Sequence, residues 1–221
     1  MATKFLYGQK KYLLPIVDGD KFFRFSDISH YSRLENENMR DDEMRKEFEL
    51  DKELFSLEIN GRKINPESMS INPVFSFPVQ HCYCLCLSHK ENDLELYDKF
   101  RADICLEIDV GILRTVLEGI FSHALNGMEV DPRAVSYYEP TANLDQLSAK
   151  DFVFYKPKKF EHEAEFRVAL FYPVEKGGFK RDDGAVIPFR SDGESNHLEF
   201  GWRSDEYKFP QCVVNVYERP F

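Results

Sequence analysis

Apolar and polar side chains alternate through EHEAEFRVAL, residues 161–170, with a period of two. In a strand, successive side chains point to opposite faces. Ala164, Phe166, Val168 and Leu170 therefore share a face suited to a core, while Glu161, Glu163, Glu165 and Arg167 share the other. A solvated face of an antiparallel sheet accounts for such a pattern. A pair of carboxylates held at fixed spacing for chemistry accounts for it as well.

The same reading along the rest of the chain predicts a mixed order of elements. Tyr12–Val17 and Lys21–Phe25 read as short strands around the Asp18-Gly19 turn, the first confined to an edge by Pro15. Ser32–Phe55, rich in charge and free of Gly and Pro, reads as one or two surface helices with a thin apolar stripe at Leu34, Met44, Phe48 and Phe55. Val74–Ser88 reads as a strand bent near Pro78, and Ala102–Val110 as a further strand. Ile112, Leu113, Val116, Leu117, Ile120, Phe121 and Ala124 recur at helical spacing, with Gly127 placed to end the helix. AVSYYEP predicts a short strand and TANLDQLSAKDF a short helix. GAVIPFR, HLEFG and CVVNVYERP add strands. No repeat or long linker divides the chain. The expectation is a single α+β domain over residues 1–221 with a mixed, largely antiparallel twisted sheet and inserted helices.

Composition narrows the function classes. A chain of 221 residues buries enough surface to hold itself without disulfides. A net charge of −10 argues against general duplex binding, which feeds on Lys and Arg at the phosphates. FYKPKKF, residues 154–160, is the compact basic stretch. No signal-peptide pattern and no membrane-length apolar run is present, and the odd number of cysteines does not read as a disulfide framework. A reducing, cytoplasmic location is the expectation.

Cys82, Cys84 and Cys86 lie on one face of a single strand, so their sulfurs spread over ~13 Å, too far for one tetrahedral ion. Core burial suits them better, and no metal is assigned to them. The histidines show no paired helical spacing, and serine-elbow, phosphate-loop and dinucleotide motifs are absent. The remaining acids admit a magnesium-dependent nuclease site built from Asp103, Glu107 and Asp109 with Glu163 and Glu165.

KKFEHEAEFR resembles the signature K-x(2–3)-W-x-x-E-x-E-[YFW]-R of a large, poorly characterised bacterial and phage family. Phe160 stands at the Trp position, and Glu163, Glu165, Phe166 and Arg167 match. CLCLS ending at Ser88, LYDKF (residues 96–100) and ICLEID (residues 104–109) follow that family's upstream order, and FFRFS (residues 22–26) its basic-aromatic strand. The order of basic-aromatic strand, serine-ending strand and E-x-E strand is in turn similar to ADP-ribosyltransferases.

That similarity implies NAD as substrate and a cut at its nicotinamide–ribose bond. Positive charge builds on the ribose there, as in glycoside hydrolysis. Glu165 would stabilise that charge and Glu163 would orient the nucleophile or accept its proton. Arg24 would grip the diphosphate, Ser88 would brace the site, and Tyr31 or Phe100 would stack on nicotinamide. Arg167 would join the cofactor-binding set. The acceptor of ADP-ribose, protein or nucleic acid, stays open. A non-catalytic binding or regulatory domain using the same E-x-E-F-R face is the further alternative.

Overall fold

Helices are inserted between runs of strands in the computed structural model, which describes residues 3–33, 43–54, 56–123, 125, 127–139, 148–189, 196–201 and 206–220. Strand β1 (Thr3–Gly8) leads into helix α1 (Lys10–Val17) and β2 (Phe25–Asp27). Then come β3 (Arg45–Glu49), β4 (Glu58–Ile59), β5 (Arg62–Lys63), β6 (Val74–Pro78) and β7 (Tyr83–Ser88). Helix α2 (Leu94–Phe100), β8 (Ile104–Asp109) and helix α3 (Val110–His123) form the middle of the chain. The remainder supplies β9 (Glu129–Ala134), β10 (Ser136–Tyr138), β11 (Tyr155–Pro157) and β12 (Glu165–Phe171). It ends with β13 (Gly178–Lys180), β14 (Val186–Pro188), β15 (His197–Leu198) and β16 (Val213–Glu218).

The fold is α+β, and its principal sheet has eight strands in the order β15-β2-β7-β1-β8-β16, with β12 beside β7 and β9 beside β12. Pairing within it is antiparallel throughout; β10 and β11, outside it, pair in parallel. A strand has two edges, and β12 takes one edge of β7 from Tyr83 to Ser88. The other edge is shared: β2 bonds it at Tyr83 and Cys84, and β1 at Ser88. The sheet therefore divides along β7, between β2 and β1.

Period two sorts the two faces. Leu85, Leu87, Leu106, Ile108, Val168 and Leu170 meet Leu113, Leu117 and Phe121 of α3 in the main core. Each such fully buried side chain contributes ~1.5–3 kcal/mol. The opposite face carries two smaller cores. One gathers Ile28, Phe48, Cys82, Cys84, Phe152, Ala169 and Phe171; the other gathers Phe5, Tyr97, Ala102 and Cys105. The space between these two cores is where the sheet divides.

Several expectations are corrected. Residues 10–17 form a helix that seats Leu13 against Gly8, where a Cβ would lie 2.9 Å from Leu13 Cδ1. The Gln9 carbonyl accepts from the amides of Tyr12 and Leu13 to start the turn. Residues 45–49 form a strand, with Lys46 and Phe48 buried and Arg45 and Glu47 exposed, and β6 supplies their partners. Residues 34–42 and Phe55 of that charged stretch lie outside the described residues. Val74–Ser88 is not one bent strand; β6 and β7 belong to different sheets. β9 has no counterpart in the sequence reading because it contains Pro132, tolerated on the outermost strand beyond β12. Most of TANLDQLSAKDF falls outside the described residues, and Asp151–Phe154 is a 3-10 turn. Among the described residues no helix is long and apolar enough to cross a membrane.

Candidate functional site

A cavity of about 230 Å³ opens where the sheet divides. One core gives it Tyr31, Cys84 and Cys86, the other Phe5, Tyr7 and Phe100, and Arg24 and Ser26 come from the β2 side. Lys156, Glu163 and Glu165 close the end beside β12. Ser88 lies between the two cores, paired with Phe5 on one side and Glu165 on the other. Arg24, Ser88, Tyr31, Phe100, Glu163 and Glu165, distant in sequence, thus share one cavity.

The carboxylates reach it by a different route from simple alternation. Lys158–Glu163 is a 3-10 turn, and β12 begins only at Glu165. Ala164 joins them in the left-handed region, with φ 44°. That conformation costs a non-glycine residue of order 1–2 kcal/mol. It turns the chain so that Glu163 and Glu165 both reach one ammonium. Lys156 Nζ donates to Glu163 Oε2 at 2.6 Å and to Glu165 Oε2 at 3.0 Å.

Arg167 does not line the cavity, and this corrects its assignment to cofactor binding. It is 1% exposed, and all of its N–H groups are taken. Nε and Nη2 donate to Glu165 at 2.7 and 3.2 Å, Nη1 and Nη2 to Glu43 at 3.0 and 2.5 Å, and Nη1 also to the Val153 carbonyl at 2.6 Å. Lys46 Nζ adds a bond to Glu43 Oε2 at 2.7 Å. Glu43, Lys46, Lys156, Glu163, Glu165 and Arg167 so form one buried network of alternating charge.

The network divides the two carboxyls chemically. Burial raises both, but Arg167 and Lys156 outweigh it at Glu165, whose carboxyl is held well below the usual range. Glu163 has only a share of Lys156 and faces the charge of Glu165, so burial pushes its carboxyl up to about 7. Burial likewise raises Glu43, yet Arg167 and Lys46 hold it at about 2. Burial would lower Lys156, and the surrounding glutamates Glu165, Glu43 and Glu163 raise it instead. Glu163 Oε1 accepts no hydrogen bond from a described residue. A carboxyl poised near neutrality with one free oxygen is suited to proton transfer.

Ser88 acts through backbone: its Oγ donates to the Glu163 carbonyl at 2.7 Å and accepts from the Lys90 amide at 3.0 Å. Tyr31 Oη accepts from Cys86 Sγ at 2.8 Å, and burial, with Cys86 and Cys84 nearby, raises the phenol. Arg24 is exposed and makes no ion pair with a described residue, and a guanidinium has the bidentate geometry that suits an anion. The five cysteines are free thiols, four of them buried in the cores.

The acids of the nuclease alternative do not assemble. β8 lies three strand spacings from β12, so Glu107 and Glu165, although on one row through Phe5 and Ser88, are ~14 Å apart. Asp103 Oδ1 accepts from the Lys10 amide, Asp109 Oδ1 from the Ile112 amide, and Glu107 from the Tyr217 hydroxyl. Among the described residues no three His, Cys, Asp or Glu side chains converge as metal ligands.

Sequence reasoning missed Lys156 and Glu43. A signal for Lys156 existed: at a spacing of three, the lysine of K-x(2–3)-W-x-x-E-x-E falls on Lys156, with Phe160 at the Trp position. Glu43 had none, because it meets Arg167 only in the folded chain. No family model, no curated protein and no solved structure matches this chain.

Proposed function

We propose that the cavity binds the nicotinamide–ribose part of NAD and that the protein is an ADP-ribosyltransferase-like enzyme. The observation that carries the reading is Glu163, a buried carboxyl raised to about 7 in the wall of a cavity that also exposes Arg24. At about 230 Å³ the cavity is smaller than the ~300–1,000 Å³ common for whole ligands, so it suits one half of a dinucleotide. Phe5, Tyr7 and Phe100 offer ring faces and edges to a flat heterocycle, and Arg24 offers a bidentate partner for phosphate.

In this reading the bond between ribose C1′ and the nicotinamide nitrogen breaks, and its electron pair leaves with neutral nicotinamide. A bond from C1′ to the acceptor forms, and ionised Glu163 takes the acceptor's proton on Oε1. Glu165 holds Lys156 and Arg167 in place instead of facing the ribose, since its charge is already matched by those cations. The test is nicotinamide release from NAD by wild type and Glu163→Gln. Release by wild type and a fall of ~10²–10⁴ in the variant support the reading.

One observation favours a non-catalytic binding domain instead: the cations cancel the charge of Glu165, as in a purely structural network. NAD binding without nicotinamide release would place that reading first.

A further inference from the structure

We propose that Lys156 is the positioning residue of the site: its ammonium pins Oε2 of Glu163 against Oε2 of Glu165 and leaves Oε1 of Glu163 as the oxygen free to meet a ligand. The role of Glu163 as reacting carboxyl rests on the function proposed above; its coupling to Lys156 does not.

Lys156 comes from β11, which pairs with β10 and not with the principal sheet. It is 5% exposed, and its Nζ sits 4.6 Å from the centre of the Phe160 ring. The ring covers the ammonium from the side of the same 3-10 turn that carries Glu163. Two of the three N–H groups are spent on the glutamates, at 2.6 and 3.0 Å. The ammonium is therefore fixed by both carboxyls, and each carboxyl is fixed by it.

Among the described residues, the other charged and titratable groups around Glu163 give its carboxyl no hydrogen bond. Arg167 spends its donors on Glu165, Glu43 and the Val153 carbonyl. Tyr137 Oη accepts from the Glu165 amide at 2.6 Å, and Tyr31 is bonded to Cys86. Glu165 itself repels a charge on Glu163, and Arg24 is exposed in the cavity lining. Among the described residues, Lys156 is thus the cation in hydrogen-bond contact with Glu163. Removing it leaves Glu163 beside the carboxylate of Glu165 without the cation it hydrogen-bonds, which favours the protonated form. Oε2 is then also free to rotate away from Glu165.

The test is a side-chain carboxyl titration by NMR on protein carrying 13C-glutamate, with Glu163→Gln used to assign the resonance. In wild type, Glu163 should titrate near 7, and the 15Nζ resonance of Lys156 should shift through the same midpoint. In Lys156→Met the Glu163 midpoint should rise by more than one pH unit, and in Lys156→Arg, which keeps a cation, it should stay closer to wild type. A Lys156 resonance that does not respond at the Glu163 midpoint overturns the inference using wild type alone, even where the methionine variant does not fold. So does an unchanged or lowered midpoint in folded Lys156→Met. Coupled titration without nicotinamide release supports the positioning role and removes only the transferase reading.

Discussion

Ser88 and Glu165 face each other across the β7–β12 pair, while the Ser88 hydroxyl reaches past that register to the carbonyl of Glu163 at 2.7 Å. One buried serine therefore ties the 3-10 turn to the strand that follows it. Ser88→Ala leaves the Glu163 carbonyl and the Lys90 amide each without this partner. We expect a loss of about 1–3 kcal/mol in chemical denaturation, the usual cost of unmatched buried polar groups. Nicotinamide release should fall as well, since the turn carrying Glu163 loosens. Unchanged stability would show that Ser88 does not brace the turn.

Glu163→Gln and Glu165→Gln should behave differently. In the structure Glu165 is 5% exposed and faces both Arg167 and Lys156, so Glu165→Gln leaves buried cations short of a partner. Breaking such a pair from one side costs about 3–5 kcal/mol. Glu163→Gln retains the Glu165 network and should stay close to wild-type stability. Equal losses in the two variants, measured by urea unfolding, would contradict the division of roles.

Stability should peak at mildly acidic pH. Glu163 titrates near its ordinary 4.5 when unfolded and near 7 when folded, so between those values the unfolded chain binds fewer protons and stability falls as pH rises. Glu43, at about 2 in the folded protein, and the similarly lowered Glu165 act in the opposite sense. Their contribution is present above 4.5 and is lost as pH falls towards 2. Melting temperature followed from pH 3 to 8 should show both limbs (roughly pH 3–4.5 and 5–7 by this linkage). In Glu163→Gln the upper limb should flatten. An identical slope in that variant would exclude Glu163 as its source.

Arg24→Ala should leave the fold untouched, because the side chain is exposed and bonded to no described residue. It should weaken NAD binding by about tenfold or more, the scale of one charge-assisted hydrogen bond. Calorimetric titration at two salt concentrations checks both the loss and its electrostatic origin. Undiminished affinity would remove Arg24 from the phosphate role.

Ala164 sits at φ 44°, and a β-branched side chain is strongly disfavoured there. Ala164→Val should destabilise the protein by about 1–3 kcal/mol, whereas Ala164→Gly should be neutral or stabilising by up to ~1 kcal/mol. The valine variant should also lose the coupled Glu163–Lys156 titration, because the turn that brings the two together is displaced. A valine variant as stable as wild type would contradict the strained link between the carboxyls.

Much of the site was legible as residue types and order. The E-x-E-F-R run, the serine ending a buried strand and the arginine between phenylalanines each stand out locally, and Arg24, Tyr31, Ser88, Phe100, Glu163 and Glu165 line one cavity. Their individual surroundings were not legible. Arg167 reads as one more polar residue on the Glu165 face, yet it is buried because Glu43, 124 residues away, meets it. Residues 45–49 read as part of a surface helix, with Phe48 on its thin apolar stripe, because a lysine on a buried strand face mimics a polar position.

The sequence by itself determined the α+β class, strand β8, helix α3 and the presence of strand within residues 74–88 and 161–170, because period-two and helical patterns report which faces need covering. Only the tertiary structure decided that the sheet divides at β7, that Ala164 interrupts the alternation, and that burial prevails at Glu163 while Arg167 and Lys156 prevail over it at Glu165. Hydrophobic periodicity is a local property of the chain, whereas burial and charge pairing depend on partners brought from far along it. Two carboxyls two residues apart therefore look alike in sequence and differ in chemistry once folded.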